Sequence, residues 1–151
     1  MVGSKLDVLG FTTAHRTGSA SRAERSFLDF TLNAKPLMAR IPPGDHIGVF
    51  GWQAKKVERS YARVLLGKEA SPLSSGDAPL YVCPECADLG CGVISVTVTF
   101  HDDCVVWSAI GWDPGAVTPR GAAMDEKQAF EGLRDLWFDR ADYVTVLAGF
   151  L

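Results

Sequence analysis

The sequence predicts an α+β fold in which two or three helices pack on a mainly antiparallel β-sheet. Alternating apolar and polar residues over Gly92–Phe100 and again over Cys104–Trp112 predict two strands joined by a short turn. Apolar residues at helical spacing over Gln53–Leu66 and near the end of the sequence predict helices. Strands and helices do not alternate as repeated βαβ units, which favours antiparallel pairing.

The first fifty residues predict several strands. Two of them are Leu6–Thr12 and the alternating segment Ser26–Leu32. The turn residues of Asn33–Pro36 predict a hairpin whose second arm is Leu37–Ile41. The apolar run Ile47–Trp52 predicts another short strand.

The segment Gln53–Leu66 predicts an amphipathic helix, and Gly67 stands where a C-terminal cap is expected. Its opposite face is basic and is expected to be solvated, although it could also meet an acidic partner. The apolar face consists of Ala54, Val57, Tyr61, Val64 and Leu65. The basic face consists of Lys55, Lys56, Arg59 and Arg63.

The strands flanking the turn His101–Asp103 predict a hairpin with one buried face. Alignment about the turn places Val98 opposite Val106, and Ile94 opposite Ile110, on that face. In this register Trp107 lies on the other, more polar face, beside two hydroxyl side chains, Ser95 and Thr97.

Two helices are predicted after the hairpin. Asp125–Leu133 is expected to form a short one, and Asp139 is expected to cap the N-terminus of a final one. An apolar stripe at helical spacing then predicts that the final helix docks on the sheet. The stripe consists of Tyr143, Val146, Leu147 and Phe150.

Length and composition predict one soluble domain spanning residues 1–151. The chain is 47% apolar and 22% charged, with a net charge of −3, which is a poor balance for binding nucleic acid. No apolar run is long enough for a membrane span, and the first residues lack the pattern of a signal peptide. We therefore expect a cytoplasmic protein that binds neither nucleic acid nor membranes. Residues rich in Gly, Ser, Pro or Ala predict loops at His15–Arg25, Lys68–Pro79 and Asp113–Ala123.

Three of the four cysteines, Cys83, Cys86 and Cys91, fall within nine residues. Thiolates at this spacing are typical ligands of a structural zinc ion, which takes four nitrogen or sulfur ligands. A strand of nine residues, about 30 Å long, would separate Cys91 from the fourth cysteine, Cys104. Cys104 is therefore expected to lie in the core, and His101 is excluded as a ligand for the same reason. The candidates for a fourth ligand are His15, His46 and Asp88.

Two other interpretations of the cysteines remain open. Cys83 and Cys86 could act as a redox dithiol, but the residues after Cys86 predict too short a helix to activate the first thiol. Alternatively, the cysteines are reduced, partly buried side chains in a tight turn that leads into a strand.

No catalytic motif of a known kind is present, so the sequence favours a non-enzymatic domain that binds another protein, such as an immunity or antitoxin-type protein. Trp107 is the candidate anchor for that partner, because tryptophan is enriched at interface hot spots. The alternative is that a helix, either Gln53–Leu66 or Asp139–Leu151, covers Trp107. A small zinc-stabilised domain and a thiol oxidoreductase are the alternative functions.

The segment Leu80–Gly92, with its Cys-Pro-Glu-Cys-x-Asp-Leu-Gly-Cys-Gly motif, resembles a family of small uncharacterised bacterial proteins. The later segments Val105–Trp107 and Trp137–Asp139 extend the resemblance over roughly the second half of the chain. The resemblance implies a small cytoplasmic bacterial protein, and it supplies no activity and no catalytic residue.

Overall fold

The computed structural model describes residues 5–115 and 127–151, which form two β-sheets and two α-helices. All pairings between the strands are antiparallel, so the predicted α+β fold is confirmed. The smaller sheet has the order β1 (Leu9–Arg16), β2 (Arg25–Leu32), β3 (Lys35–Pro36). The larger sheet runs β4 (Ile47–Gly48), β5 (Ala78–Val82), β6 (Val93–Phe100), β7 (Cys104–Asp113), β8 (Gln128–Ala129), with β9 (Leu136–Asp139) also paired to β7.

The first helix, α1 (Lys55–Leu65), forms as its amphipathic pattern predicts. The carboxylate of Glu58 reaches back and accepts hydrogen bonds from the backbone N–H groups of Gly51, Trp52 and Gln53 at 2.8–3.0 Å. These bonds fix the chain entering the helix. The four basic residues on the opposite face are exposed.

The second helix, α2 (Arg140–Ala148), begins at the predicted cap, where the Asp139 side chain accepts from the N–H of Asp142 at 2.9 Å. Its predicted stripe docks as expected: Tyr143 and Leu147 are buried. Phe150, just beyond the helix, stacks on Phe50 with ring centroids 4.0 Å apart. No helix within the described ranges is long and apolar enough to cross a membrane.

Asp7 joins the N-terminal segment to the strand β9. Its buried carboxylate binds both terminal nitrogens of Arg134, at 2.6 and 2.9 Å, and accepts from Asn33 and from the backbone of Trp137. The Asp7 N–H donates in turn to the Trp137 carbonyl at 2.6 Å. Asp7 and Arg134, which are 127 positions apart in the sequence, are thereby held together.

Three of the predicted secondary-structure assignments are wrong in whole or in part. Leu37–Ile41 is not a returning strand, because Leu37–Arg40 forms a 3-10 helix that buries Leu37. The predicted strand Ile47–Trp52 is confirmed only over Ile47–Gly48; Phe50 then forms a single bridge with Leu28 of β2, and Gly51 turns the chain with φ +94°. The predicted helix Asp125–Leu133 is wrong where it is described, because residues 127–133 hold β8 and a turn.

The remaining strand and loop predictions are partly confirmed. The first strand lies further along the chain than predicted, and it takes in the first two residues of the predicted loop His15–Arg25. Residues 68–77 form the predicted loop, and β5 begins at Ala78. Residues 116–123 of the loop predicted at Asp113–Ala123 lie outside the described part.

The β6–β7 hairpin forms where predicted, but its register differs and moves Trp107 into the core. Phe100 pairs with Val105, so Val98 faces Trp107 rather than Val106. The register shifts once more between Ser95 and Thr97, where β7 forms a bulge. A slip of one residue turns every side chain to the other face of the sheet. Trp107 is consequently 0% exposed, and its indole N–H donates to the Tyr143 hydroxyl of α2 at 3.1 Å. The interpretation of Trp107 as an exposed partner anchor is therefore wrong, and the alternative of a covering helix is confirmed.

Candidate metal site

The three clustered cysteines meet in the connection between β5 and β6. Cys83 follows β5 directly, and Cys91 ends a short 3-10 helix, Leu89–Cys91, just before β6. Because β5 and β6 are antiparallel neighbours, the two ends of this connection lie side by side. The sulfur atoms of Cys83, Cys86 and Cys91 all lie within 4.8 Å of one another. These three cysteines are close enough to hold a metal ion.

The backbone around the cysteines forms two consecutive tight turns. The Ala87 N–H donates to the Cys83 carbonyl at 2.9 Å, and Ala87 itself takes a positive φ of +57°. The Asp88 N–H then points at Cys86 Sγ, 3.4 Å away, while the Asp88 carboxylate accepts from the Gly90 N–H at 2.8 Å. These bonds turn the chain so that Cys91 comes back beside Cys86.

Gly92 is required where the loop enters β6. Its φ is +84°, a conformation that L-residues with a side chain rarely adopt. A Cβ atom there would also lie 2.3 Å from the Trp112 ring, far inside van der Waals contact. The glycine thus lets the chain pass under Trp112 directly after Cys91, which fixes the position of the third cysteine.

The thiols differ in exposure and in protonation. Cys83 is half-buried, whereas Cys86 and Cys91 are exposed. Burial alone would raise the pKa of Cys83, but hydrogen bonds from the backbone of Cys86 and Glu85 lower the pKa below its usual value. The hydrogen bond with Cys86 raises the pKa of Cys91 to about 11. Adjacent thiols therefore resist losing all their protons together, and a bound cation would supply the missing positive charge.

Residues from the β1–β2 hairpin hold the outside of the cysteine loop. Arg16, at the end of β1, binds the Glu85 carboxylate at 2.9 Å, and Arg25 donates from Nε to the Pro84 carbonyl at 2.9 Å. The Ala23 N–H also donates to Glu85, at 3.1 Å. Pro84 and Glu85, the two residues between Cys83 and Cys86, are thus bonded to the β1–β2 hairpin of the smaller sheet.

Arg16 is itself fixed in place. Its guanidinium binds Asp45 through two parallel hydrogen bonds of 2.7 and 2.8 Å, and its side chain is nearly buried. Arg16 lowers the pKa of Asp45. The pKa of Glu85 is lowered by the hydrogen bond from the Ala23 N–H and by Arg16. The cysteine loop therefore rests on a preformed network of charges, which the sequence pattern did not reveal.

The other residues considered as ligands lie outside the cluster or are otherwise engaged. The His15 ring is hydrogen-bonded to Ser26 at 3.1 Å and lies 3.7 Å from Glu24. His46 packs edge-on against Trp112, and burial lowers its pKa despite a hydrogen bond to the Gly92 backbone. The Asp88 carboxylate caps the turn, as described above.

Cys104 and His101 are likewise outside the cluster. Cys104 is 7% exposed and belongs to the core, as predicted. His101 stacks on Trp137 at the far end of the β6–β7 hairpin. All four cysteines are free thiols in this structure.

Comparisons with protein-family models, with curated proteins and with solved structures found no match to this chain. The function has to be argued from the cysteine cluster itself.

Proposed function

We propose that this protein is a small zinc-binding domain whose ion is held by Cys83, Cys86 and Cys91. The observation that carries the proposal is the convergence of the three sulfur atoms within 4.8 Å. Soft thiolates are ligands that zinc prefers, and the three cysteines supply three of the four ligands that a structural zinc ion takes. They leave one position of a tetrahedral ion for water or for a ligand from outside the cluster.

The surroundings of the cluster support the same proposal. Ligands of a metal site work best when other residues hold them in place, and Arg16 and Arg25 hold the loop between the first two cysteines. Although burial opposes it, backbone hydrogen bonds from Cys86 and Glu85 lower the pKa of Cys83, which favours the thiolate form that binds metal. An ion bound here would join the end of β5 to the start of β6 and would stabilise the larger sheet.

Metal titration tests the proposal. Protein purified under reducing conditions is expected to bind one equivalent of zinc, and Co²⁺ in its place should give intense thiolate-to-metal absorption. Cys86→Ser should lose the ion, because it removes one ligand of three. Zinc present at a hundredfold excess over its Kd should raise the free energy of unfolding by about 2.7 kcal/mol in the natural chain.

Cys104→Ala is the matched control, since Cys104 lies outside the cluster and should leave zinc binding unchanged. Circular dichroism checks that both variants fold. Failure of the folded, reduced natural protein to bind zinc in competition with a weak chelator would contradict the proposal, as would equal zinc binding by Cys86→Ser.

The protein-binding role stays a prediction, now without a named contact residue, because Trp107 is buried. The dithiol role stays a prediction as well. In the structure, a turn and a 3-10 helix follow Cys83 and Cys86, so the dipole of an α-helix is not available to activate either thiol.

A further inference from the structure

The exposed pair of cysteines is placed for a reaction that the metal site does not require. Cys86 Sγ and Cys91 Sγ are 3.5 Å apart, and both side chains are exposed. A disulfide has an S–S length of about 2.05 Å, so a movement of roughly 1.5 Å would bring the two sulfur atoms to bonding distance. Cys91 ends a short 3-10 helix in the loop between β5 and β6.

Cys83 is held differently from the other two. It is half-buried, whereas Cys86 and Cys91 are exposed. Glu85 and Pro84 are in turn tied to Arg16 and Arg25. The geometry therefore selects Cys86 and Cys91 as the pair that reacts, rather than the Cys83–Cys86 pair suggested by their spacing in the sequence.

We propose that Cys86 and Cys91 form a reversible disulfide when the protein meets a hydroperoxide such as hydrogen peroxide. One sulfur, as the thiolate, attacks the peroxide, whose O–O bond breaks to leave a sulfenic acid and hydroxide. The second sulfur displaces the sulfenic hydroxyl group and forms the S–S bond. In total two thiols lose two electrons and two protons, and hydrogen peroxide is reduced to two molecules of water.

The disulfide would also control the metal site. Both oxidised cysteines are ligands in the proposed zinc site, so closing the bond leaves Cys83 alone and releases the ion. This consequence rests on the proposed function, whereas oxidation of the pair itself does not. The protein would then hold zinc in a reducing environment and lose it on contact with peroxide.

The experiment compares metal-free and zinc-loaded protein after treatment with hydrogen peroxide. Alkylation and peptide mapping without reduction should show a disulfide between Cys86 and Cys91, with Cys83 alkylated. A chromogenic chelator should record release of one equivalent of zinc from the loaded protein, and dithiothreitol should restore both thiols. Cys83→Ser should still form the bond, whereas Cys91→Ser should not.

Two outcomes would overturn the inference: a disulfide between Cys83 and Cys86, or alkylation of Cys83, Cys86 and Cys91 alike in metal-free protein at a peroxide dose that oxidises free cysteine. Protein that forms the Cys86–Cys91 bond but never binds zinc would support the oxidation and contradict the proposed function. Protein that binds zinc but does not form the bond would support the proposed function and overturn the inference.

Discussion

The hydroxyl of Tyr143 links three elements in the middle of the core. It donates to the Leu65 carbonyl at the end of α1, at 2.7 Å, and accepts from the indole N–H of Trp107 in β7. Tyr143 is 1% exposed, so no water can replace these bonds. One oxygen atom thus satisfies two buried polar groups that would otherwise have no partner.

Tyr143→Phe should lower the free energy of unfolding by about 1–3 kcal/mol, because it leaves a buried carbonyl and a buried N–H unpaired while keeping the ring. Urea denaturation measures the change. Tyr61→Phe is the control, because the Tyr61 hydroxyl makes no hydrogen bond to another described residue. Equal midpoints for Tyr143→Phe and the natural chain would show that this oxygen contributes nothing to stability.

Strand β7 carries an irregularity that determines which residues face the core. The pairing of β7 with β6 shifts between Ser95 and Thr97 of β6. Opposite this shift, Ala109 of β7 has a φ of +53°. A residue with a side chain pays a conformational cost of roughly 1–2 kcal/mol in this region. The bulge is therefore maintained by the packing on either side of it, including the buried Trp107 and Ile110.

Ala109→Gly should raise the free energy of unfolding by about 1 kcal/mol, since glycine adopts positive φ without a steric penalty and Ala109 is exposed. Ala141→Gly, at an exposed position of α2, should do the opposite and destabilise by up to about 1 kcal/mol. Thermal or urea unfolding distinguishes the two. A lower midpoint for Ala109→Gly would show that the backbone at the bulge is not strained.

Local patterns predicted several of the elements but not the register of the central hairpin. The β6–β7 hairpin, α1 and the capped α2 were predictable because their signals lie within a dozen residues. The register of the β6–β7 hairpin was not predictable. Four residues rather than three separate the paired Phe100 and Val105, and no sequence pattern near the bulge signals it. The cysteine triplet was visible in its spacing, whereas Arg25 and Arg16 support it from positions about 60 and 70 residues earlier in the chain.

At the scale of the whole molecule, the ion pair between Asp7 and Arg134 makes stability depend on pH. The hydrogen bond from Arg134 is the main cause that lowers the pKa of Asp7 to about 2, against about 3.9 in an unfolded chain. A carboxyl group whose pKa is depressed by folding stabilises the fold above its unfolded pKa. That contribution is lost as the pH falls through the folded value.

The natural chain should therefore lose about 2 kcal/mol through Asp7 between pH 5 and pH 2. Asp7→Asn should be less stable at pH 7 and should lose less on acidification, which urea denaturation at several pH values would measure. Asp102→Asn, an exposed change in the β6–β7 turn, is the control. Parallel pH profiles for Asp7→Asn and the natural chain would rule out this role for Asp7.

The same contact sets an order of events during synthesis. Arg134 follows Asp7 by 127 positions, and ribosomes add residues at about 5–20 per second, so the partner of Asp7 is made roughly 6–25 s later. The strand β9 is made only at the end of that delay, so the edge of β7 that it covers, Cys104–Trp107, has no strand to pair with between the emergence of β7 and the synthesis of β9. An open β-edge invites pairing with other chains. We therefore expect a nascent chain of this protein to carry an unpaired strand edge until β9 is made.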